Sequence, residues 1–436
     1  MDGSNGRKPV CRVYVGILRV NYLLALVSPA LSLSLLPSLS RYAATDTQIP
    51  PLASITMGMP IRPPPAFTAT YTPGATPPVA GAPALPTAIS PTGFPPPDQV
   101  PDTNSPEVQE WMKELNGVTI PDISQTKDST CASDPAAAAE AEKRGWWTCG
   151  GYTRSTDIAA CPEKLHWGLS FDDGPSPYST DLIAKLKEKN IKATFFVVGS
   201  RVIQRPEILI EEYMNGHEIS VHTWSHTPLT TLTNEQIVAE LGWTRKAIKD
   251  VLGVTPTTMR PPTGDIDDRV RAISLAMGMV PVLWSSTADG GKFDSNDWKV
   301  ASGEITGSQS FTIFEDIMRN GTASNTGFIT LQHDLFDVTV DLAVGYTLDA
   351  ALSHEPKFVL QTVGECMGMP AGGVYRETKP SASARNATLS EATPVGDANV
   401  DQGNAKPSVK SSAVDVMTPM LGLISMVGSV YIGILL

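Results

Sequence analysis

Between about residues 162 and 368 the chain alternates two kinds of apolar pattern. Short apolar runs bounded by turn residues read as strands at 165–171 (LHWGLSF), 192–198 (KATFFVV), 217–223, 257–261, 279–285, 327–333 and 357–363. Longer stretches with apolar residues at helical spacing lie between them, at 180–190, 205–216, 234–253, 267–278, 311–321 and 341–352. In the third of these, Ile237, Leu241, Ile248 and Leu252 share one helical face, with charges opposite. Strands that alternate with helices imply a parallel sheet. A distorted α/β barrel of seven to eight parallel strands is expected rather than an open sheet. The reason is that side chains capable of chemistry gather just beyond the strands, where such barrels hold their active sites.

Outside that block the pattern stops. Residues 41–106 are dominated by proline: seventeen of the thirty-seven prolines fall in 45–106, with Ala, Thr and Ser and almost no charge. Such a segment buries no core of its own, so an extended, disordered, O-glycosylated stalk is expected. Residues 107–161 read as a disulfide-tied extension of the main domain, and 369–410 as a Ser/Thr/Ala-rich linker. As a flexible coil, 376–403 would span roughly 30 Å.

The two ends carry targeting patterns. Residues 1–40 combine Arg7, Lys8, Arg12 and Arg19 with an apolar stretch and small residues after it, as in a secretory signal peptide. The alternative is an uncleaved signal anchor. Residues 411–436 end in MLGLISMVGSVYIGILL, uncharged to the last residue and preceded by a small, polar segment. That fits a GPI-anchor signal; the alternative is a retained transmembrane helix. The outer face of the plasma membrane and the cell wall are therefore the expected location.

Charge and cysteines narrow the class. A net charge of −12 and a pI near 5.0 argue against nucleic acid as a partner. Cys11 falls in the signal region. Cys131, Cys149, Cys161 and Cys366 make an even set in an oxidising compartment, hence two disulfides. Three pairings exist; Cys131–Cys149 with Cys161–Cys366 is preferred, because the second pair brackets the apparent catalytic domain. Asn320 and Asn386 begin glycosylation sequons. A monomer is expected.

The chemistry lies at the strand ends. Asp172-Asp173 closes the first strand, and His222-Thr-Trp-Ser-His226 the third. Arg260-Pro-Pro-Thr-Gly-Asp265 closes the fourth, Asp294-Ser-Asn-Asp297-Trp298 follows the fifth, and Leu331-Gln-His333-Asp334 closes the sixth. His222 and His226 stand at i,i+4, so one helical turn would put both on one side. Two imidazoles and a carboxylate can hold a divalent cation with a position left open. Adjacent carboxylates repel and raise one another's pKa; a cation removes that penalty for one and leaves the other as a free base. An H-x₃-H or an Asp-Asp-Gly alone is more often an ordinary core histidine or a solvated turn. Their joint occurrence at neighbouring strand ends favours the site.

The set resembles the polysaccharide deacetylases of carbohydrate esterase family 4 (the NodB-homology domain). SFDDGP, HTWSH, RPPTGD, DSNDW and LQH stand in the family's order over about 165–365, and the flanking segments are similar to those of fungal chitin deacetylases. The resemblance implies a metal-dependent hydrolase that removes N-acetyl groups from chitin, giving chitosan and acetate. It implies Asp173, His222 and His226 as metal ligands, with Zn²⁺ the expected metal and Co²⁺ or another divalent ion an alternative. Asp172 is implied as the base that takes the proton of the attacking water, and His333 as the acid that protonates the leaving amine. Arg260 would orient Asp172, and Asp297 would steady Arg260 or His333. Trp298 and Leu331 would wall the acetyl methyl, and a main-chain N–H near Thr263 would steady the oxyanion.

One position departs from the family's pattern: Thr263 stands where an aromatic is usual after the two prolines. This keeps open the same chemistry on chitosan, chito-oligosaccharides or acetylxylan. The stretch 286–293 also looks longer than the usual connection, and Asp289 there competes with Asp294 for a structural role. A non-catalytic wall-binding protein is the remaining alternative; against it, every implied ligand, base and acid is present.

Overall fold

The computed structural model describes residues 49–90, 92–287, 290–370 and 372–378. The signal region, the C-terminal tail, Asn386 and Asp289 lie outside these residues. Among the described residues no helix is long and apolar enough to cross a membrane.

The expected strands form, with one refinement. The first is two short strands, β1 (His166–Gly168) and β2 (Ser170–Asp172). Leu169 between them hands the pairing over: its N–H donates to Gln361 O and its carbonyl accepts from Thr194 N, both at 2.9 Å. Then follow β3 (Thr194–Val197), β4 (Glu218–Val221), β5 (Thr258–Met259), β6 (Val280–Pro281), β7 (Phe328–Ile329) and β8 (Val359–Gln361). Every pairing is parallel, in the orders β7-β1-β8 and β2-β3-β4-β5-β6. Parallel bridges from Asp172 to His333 and from Asp294 to Leu331 link the two groups, and Ser285 N donates to Ile329 O at 3.0 Å. The arrangement is α/β and compatible with the distorted barrel.

Helices return the chain between strands, as parallel pairing requires. The longest, Asn234–Leu252, starts on a capping box made by Thr233 and Gln236 and stops at Gly253 in the left-handed region (φ 80°). Its Ile237, Leu241, Ile248 and Leu252 are fully buried. Other returns are Ser179–Glu188, Pro206–Met214, Asp268–Ala276 and Gly307–Ala323. Short helices at Gly199–Gln204 and Trp298–Ser302 were not marked by any apolar period. Both preferred disulfides form, Cys131–Cys149 and Cys161–Cys366. The second ties the approach to β1 to the short helix Val363–Cys366 after β8.

The Pro-rich segment is not a free stalk. From residue 49 to 106 it wraps the domain as a strap. Ile49, Leu52, Ile55 and Leu85 enter the main core. Tyr346 donates its hydroxyl to Pro50 O (2.7 Å), and Gly307 N donates to Ile55 O (2.8 Å). Arg62 bridges Asp181 (2.5 Å) and the buried Asp341 (2.9 Å). Phe94 stacks on Trp224 with ring centroids 5.8 Å apart. Composition shows only that such a segment cannot build a core by itself; its few apolar residues bury against a core that already exists. The C-terminal boundary also moves past 368: Thr257 N donates to Val374 O (2.8 Å), and Tyr375 bridges to Pro256. Asn320 is exposed near the end of helix Gly307–Ala323.

Candidate active site

Each motif arrives at the same rim because each follows the C-terminal end of a parallel strand. Asp172 ends β2; its N–H donates to Gln332 O and its carbonyl accepts from Asp334 N, at 2.9 and 3.1 Å. Its side chain is buried, and Arg260 Nη1 donates to its Oδ1 at 2.7 Å. Arg260 is fully buried, lies 4.0 Å over the Phe196 ring, and also donates to Ser170 Oγ at 2.9 Å. This fixed cation holds the Asp172 carboxylate in one orientation.

Asp173 turns away at φ 80°. His226 Nε2 lies 3.0 Å and His222 Nε2 3.4 Å from its Oδ1. Burial pushes the Asp173 carboxyl up, but the attraction of the nearby His226 and His222 imidazoles outweighs it, leaving it well below the carboxylate range. Donor atoms of Asp173, His222 and His226 all lie within 4.8 Å of one another. Asp173 Oδ1 is also buried without a hydrogen-bond partner. Two imidazole nitrogens and an orphaned carboxylate oxygen at this spacing fit a divalent cation.

The two histidines meet by another route than a helical turn. Residues 222–226 form a loop, with Thr223 and His226 at φ 64° and 62°. The ring centroids still come to 5.0 Å. Glu240 orders the loop: its carboxylate accepts from Trp224 N (2.7 Å), Ser225 N (2.9 Å) and Ser225 Oγ (2.5 Å). Positive φ outside glycine is uncommon, and here it clusters at Asp173, Thr223, His226 and Thr263. Backbone held this way marks functional sites, where the surroundings over-determine it.

Across the cavity, His333 Nδ1 lies 2.7 Å from Asp297 Oδ1, and His333 N donates to Asp297 Oδ2 at 2.8 Å. Burial lowers the imidazole pKa, but the Asp297 charge and hydrogen bond, aided by Asp173 and Asp172, raise it to about 10. Of the two partners considered for Asp297, the structure joins it to His333. Asp294 takes the nearby turn, accepting from Asn296 N at 2.8 Å and Trp298 Nε1 at 3.5 Å. Asp172, Asp173, His222, His226, Thr263, Trp298, Leu331 and His333 all line one cavity of about 360 Å³, with Trp284, Lys292 and Asp294. Arg260 and Asp297 stand behind it.

Several contributors had no role assigned to them from the motifs. Glu240 is a charge on the apolar face of its helix, beside Leu241, and that misplacement was its signal. Asp334 accepts from Gly174 N (3.0 Å) and from Ser179 Oγ, fixing the turn after Asp173; burial raises its carboxyl to about 7. Asp265 accepts from Trp146 Nε1 (2.8 Å) and Thr230 N (2.9 Å), joining the extension to the HTWSH loop. Trp147, also from the extension, packs edge-on against Trp284 with centroids 4.5 Å apart, and Lys292 sits 4.0 Å over its ring.

The chain is similar to several known proteins. The sequence pattern of the polysaccharide deacetylase family matches residues 159–282. Chitin deacetylase 1 of Cryptococcus neoformans var. grubii is 51% identical over 345 residues, covering 78% of this chain and 73% of that protein. The chitin deacetylase of Amylomyces rouxii is 36% identical over 247 residues, covering 54% of this chain and 55% of that protein. The solved chitin deacetylase of Colletotrichum lindemuthianum superposes with a TM-score of 0.46 at 24% identity, over 52% of this chain and 97% of that one.

Proposed function

The chain belongs to the polysaccharide deacetylase family, and from that premise we propose that it hydrolyses the N-acetyl groups of chitin, releasing acetate and leaving chitosan. The observation that carries the reading is the pair of adjacent carboxylates with separate partners: Arg260 on Asp172, and two histidines on Asp173. Asp173, His222 and His226 would hold the metal, and Zn²⁺ suits two nitrogens and one oxygen. When bound, such an ion polarises a carbonyl and lowers the pKa of a water.

The chain's own residues do the proton work. Asp172, held in place by Arg260, accepts the proton of the attacking water on one side of the cavity. His333 has Nδ1 committed to Asp297 and so works through Nε2; it gives its proton to the leaving amine. The Thr263 N–H steadies the oxyanion. Trp298 and Leu331 exclude water around the acetyl methyl. Location belongs to the same reading: an enzyme led out by residues 1–40 and tethered through 411–436 would meet chitin in the wall outside the plasma membrane. Thr263, without the usual ring, favours tolerance for neighbouring acetylated substrates.

The test is acetate release from chitin oligomers of several lengths and from acetylxylan, with chelated protein and after Zn²⁺ is returned, for wild type, Asp172→Asn and His222→Ala. Zinc-dependent acetate from chitin oligomers, lost in both variants, is expected. Acetate from acetylxylan alone would move the substrate. No acetate from any substrate, with folded and metal-loaded protein, would leave a wall-binding role.

A further inference from the structure

Six large hydrophobic side chains stand exposed among the described residues, and four of them belong to segments that meet beside Trp298: Trp298 itself (38%), Phe336 (45%), Met57 (61%) and Ile61 (77%). Exposed apolar groups scattered singly need no explanation, but a contiguous set beside a cleft marks a binding surface.

Contacts between the neighbouring segments bring the four together. Trp298 follows Asp297, and Phe336 lies three residues after His333. The two bonds between Asp297 and His333 bring these stretches together. Helix Trp298–Ser302 packs beside helix Asp337–Leu342, which Phe336 precedes. The strap supplies the rest. Arg62 N donates to Asp337 Oδ2 at 3.2 Å, which sets Ile61 next to Phe336. Met57 lies over Gly303, the residue that ends helix Trp298–Ser302. The strap is pinned on both sides of this arch, at Ile55 by Gly307 N and at Arg62 by Asp181 and Asp341. Between the pins, Met57 and Ile61 are held out in solvent.

Resting on the deacetylase reading, we propose that Phe336, Ile61 and Met57 continue the cleft outward from Trp298 as an apolar track that holds a β-linked N-acetylglucosamine unit beyond the reacting one. The occupant follows from continuity: Trp298 lines the cavity itself, so a chain leaving it on that side runs onto the track. It also follows from chemistry. A pyranose presents flat C–H faces that pack on an aromatic ring, and an N-acetyl methyl adds apolar area. No charge is needed for a neutral polymer. The track makes the strap part of substrate recognition, and it predicts a preference for longer chains.

The test compares kcat/KM for acetate release from a chitin dimer and a chitin hexamer, in the full chain with Zn²⁺. The variants are Phe336→Ala, Phe336→Tyr and the double variant Met57→Ser/Ile61→Ser. With hexamer, Phe336→Ala and the strap variant are each expected to lose about fivefold, carried by KM, while the dimer is unchanged. Phe336→Tyr keeps the ring and should stay near wild type. Equal losses on dimer and hexamer, or no loss on either, would overturn the track. Melting temperatures measured alongside identify a variant that has lost its fold, and then hexamer affinity of the remaining variant decides. Wild-type protein inactive on both oligomers would instead overturn the functional reading itself.

Discussion

His222 and His333 face one cavity from opposite sides, and both use Nδ1 at 2.7 Å, but their partners differ. His222 meets the main-chain oxygen of Arg260, and His333 meets the carboxylate of Asp297. A carbonyl can only accept, so Nδ1 of His222 carries a proton, and Nε2 is the atom turned toward Asp173 and left to serve as a ligand. A carboxylate favours the imidazolium, so His333 holds a proton ready to give. The same residue at the same distance becomes a ligand or an acid through the group behind it.

The strongest way to break this comparison is to remove the ligand side. His222→Ala should abolish measurable acetate release, a loss of about a thousandfold or more, and should cut bound Zn²⁺ measured on the purified protein. Asp172→Asn should lose rate on a similar scale while keeping the metal. Retained metal and rate in His222→Ala would dissolve the distinction.

The acid side should yield next. Asp297→Asn should lower kcat by about a hundredfold. It should also move the alkaline limb of the pH profile to lower pH, because the raised His333 pKa depends on that carboxylate. In chelated protein the sign for stability is fixed too. His333 has a raised folded pKa, so its stabilisation is complete below the unfolded value of about 6.5. It is lost as pH rises through about 10. Wild type should therefore melt above Asp297→Asn by the widest margin at acid pH, and the margin should close towards pH 10. A pH-independent margin would mean that Asp297 only packs.

A change remote from both histidines sharpens the contrast. Arg62→Ala strands the buried Asp341 carboxylate and frees the strap, and should cost about 3 kcal/mol in denaturant unfolding. The pH profile for a chitin dimer should not move. The smallest effect is expected at Thr263→Tyr. Restoring a ring to the cleft wall should shift the ratio of chitin-oligomer to acetylxylan rates by about threefold, read from acetate release on both substrates.

What the sequence revealed, and what it concealed, follows from where each signal lies. Strand ends were legible because apolar runs stop abruptly at Asp172, His222 and His333, and the parallel sheet then collects those stops on one rim. The disulfide pairing was legible from position alone. The route that brings His222 to His226 was not: both a helical turn and a loop satisfy the spacing, and the loop is imposed by Glu240, fourteen residues beyond His226. The strap was misread because composition reports what a segment can bury by itself. Ile49, Ile55 and Phe94 are sparse, but each meets a prepared partner. Lys292 reaches the cleft through the long connection, and Trp147 of the extension packs behind it on Trp284; no local pattern in either stretch points to chemistry.

The Cys161–Cys366 bridge bears on how the molecule would carry load. The C-terminal tether proposed above would pull on the chain after residue 378. Tension there would first peel Arg376 and Tyr375 from Thr255 and Pro256. It would then reach Cys366 and pass by covalent bond to Cys161, ahead of β1. β8 lies inside that closed loop and is not unzipped from its neighbour. An enzyme so tethered would lose its C-terminal edge and keep its catalytic rim in register.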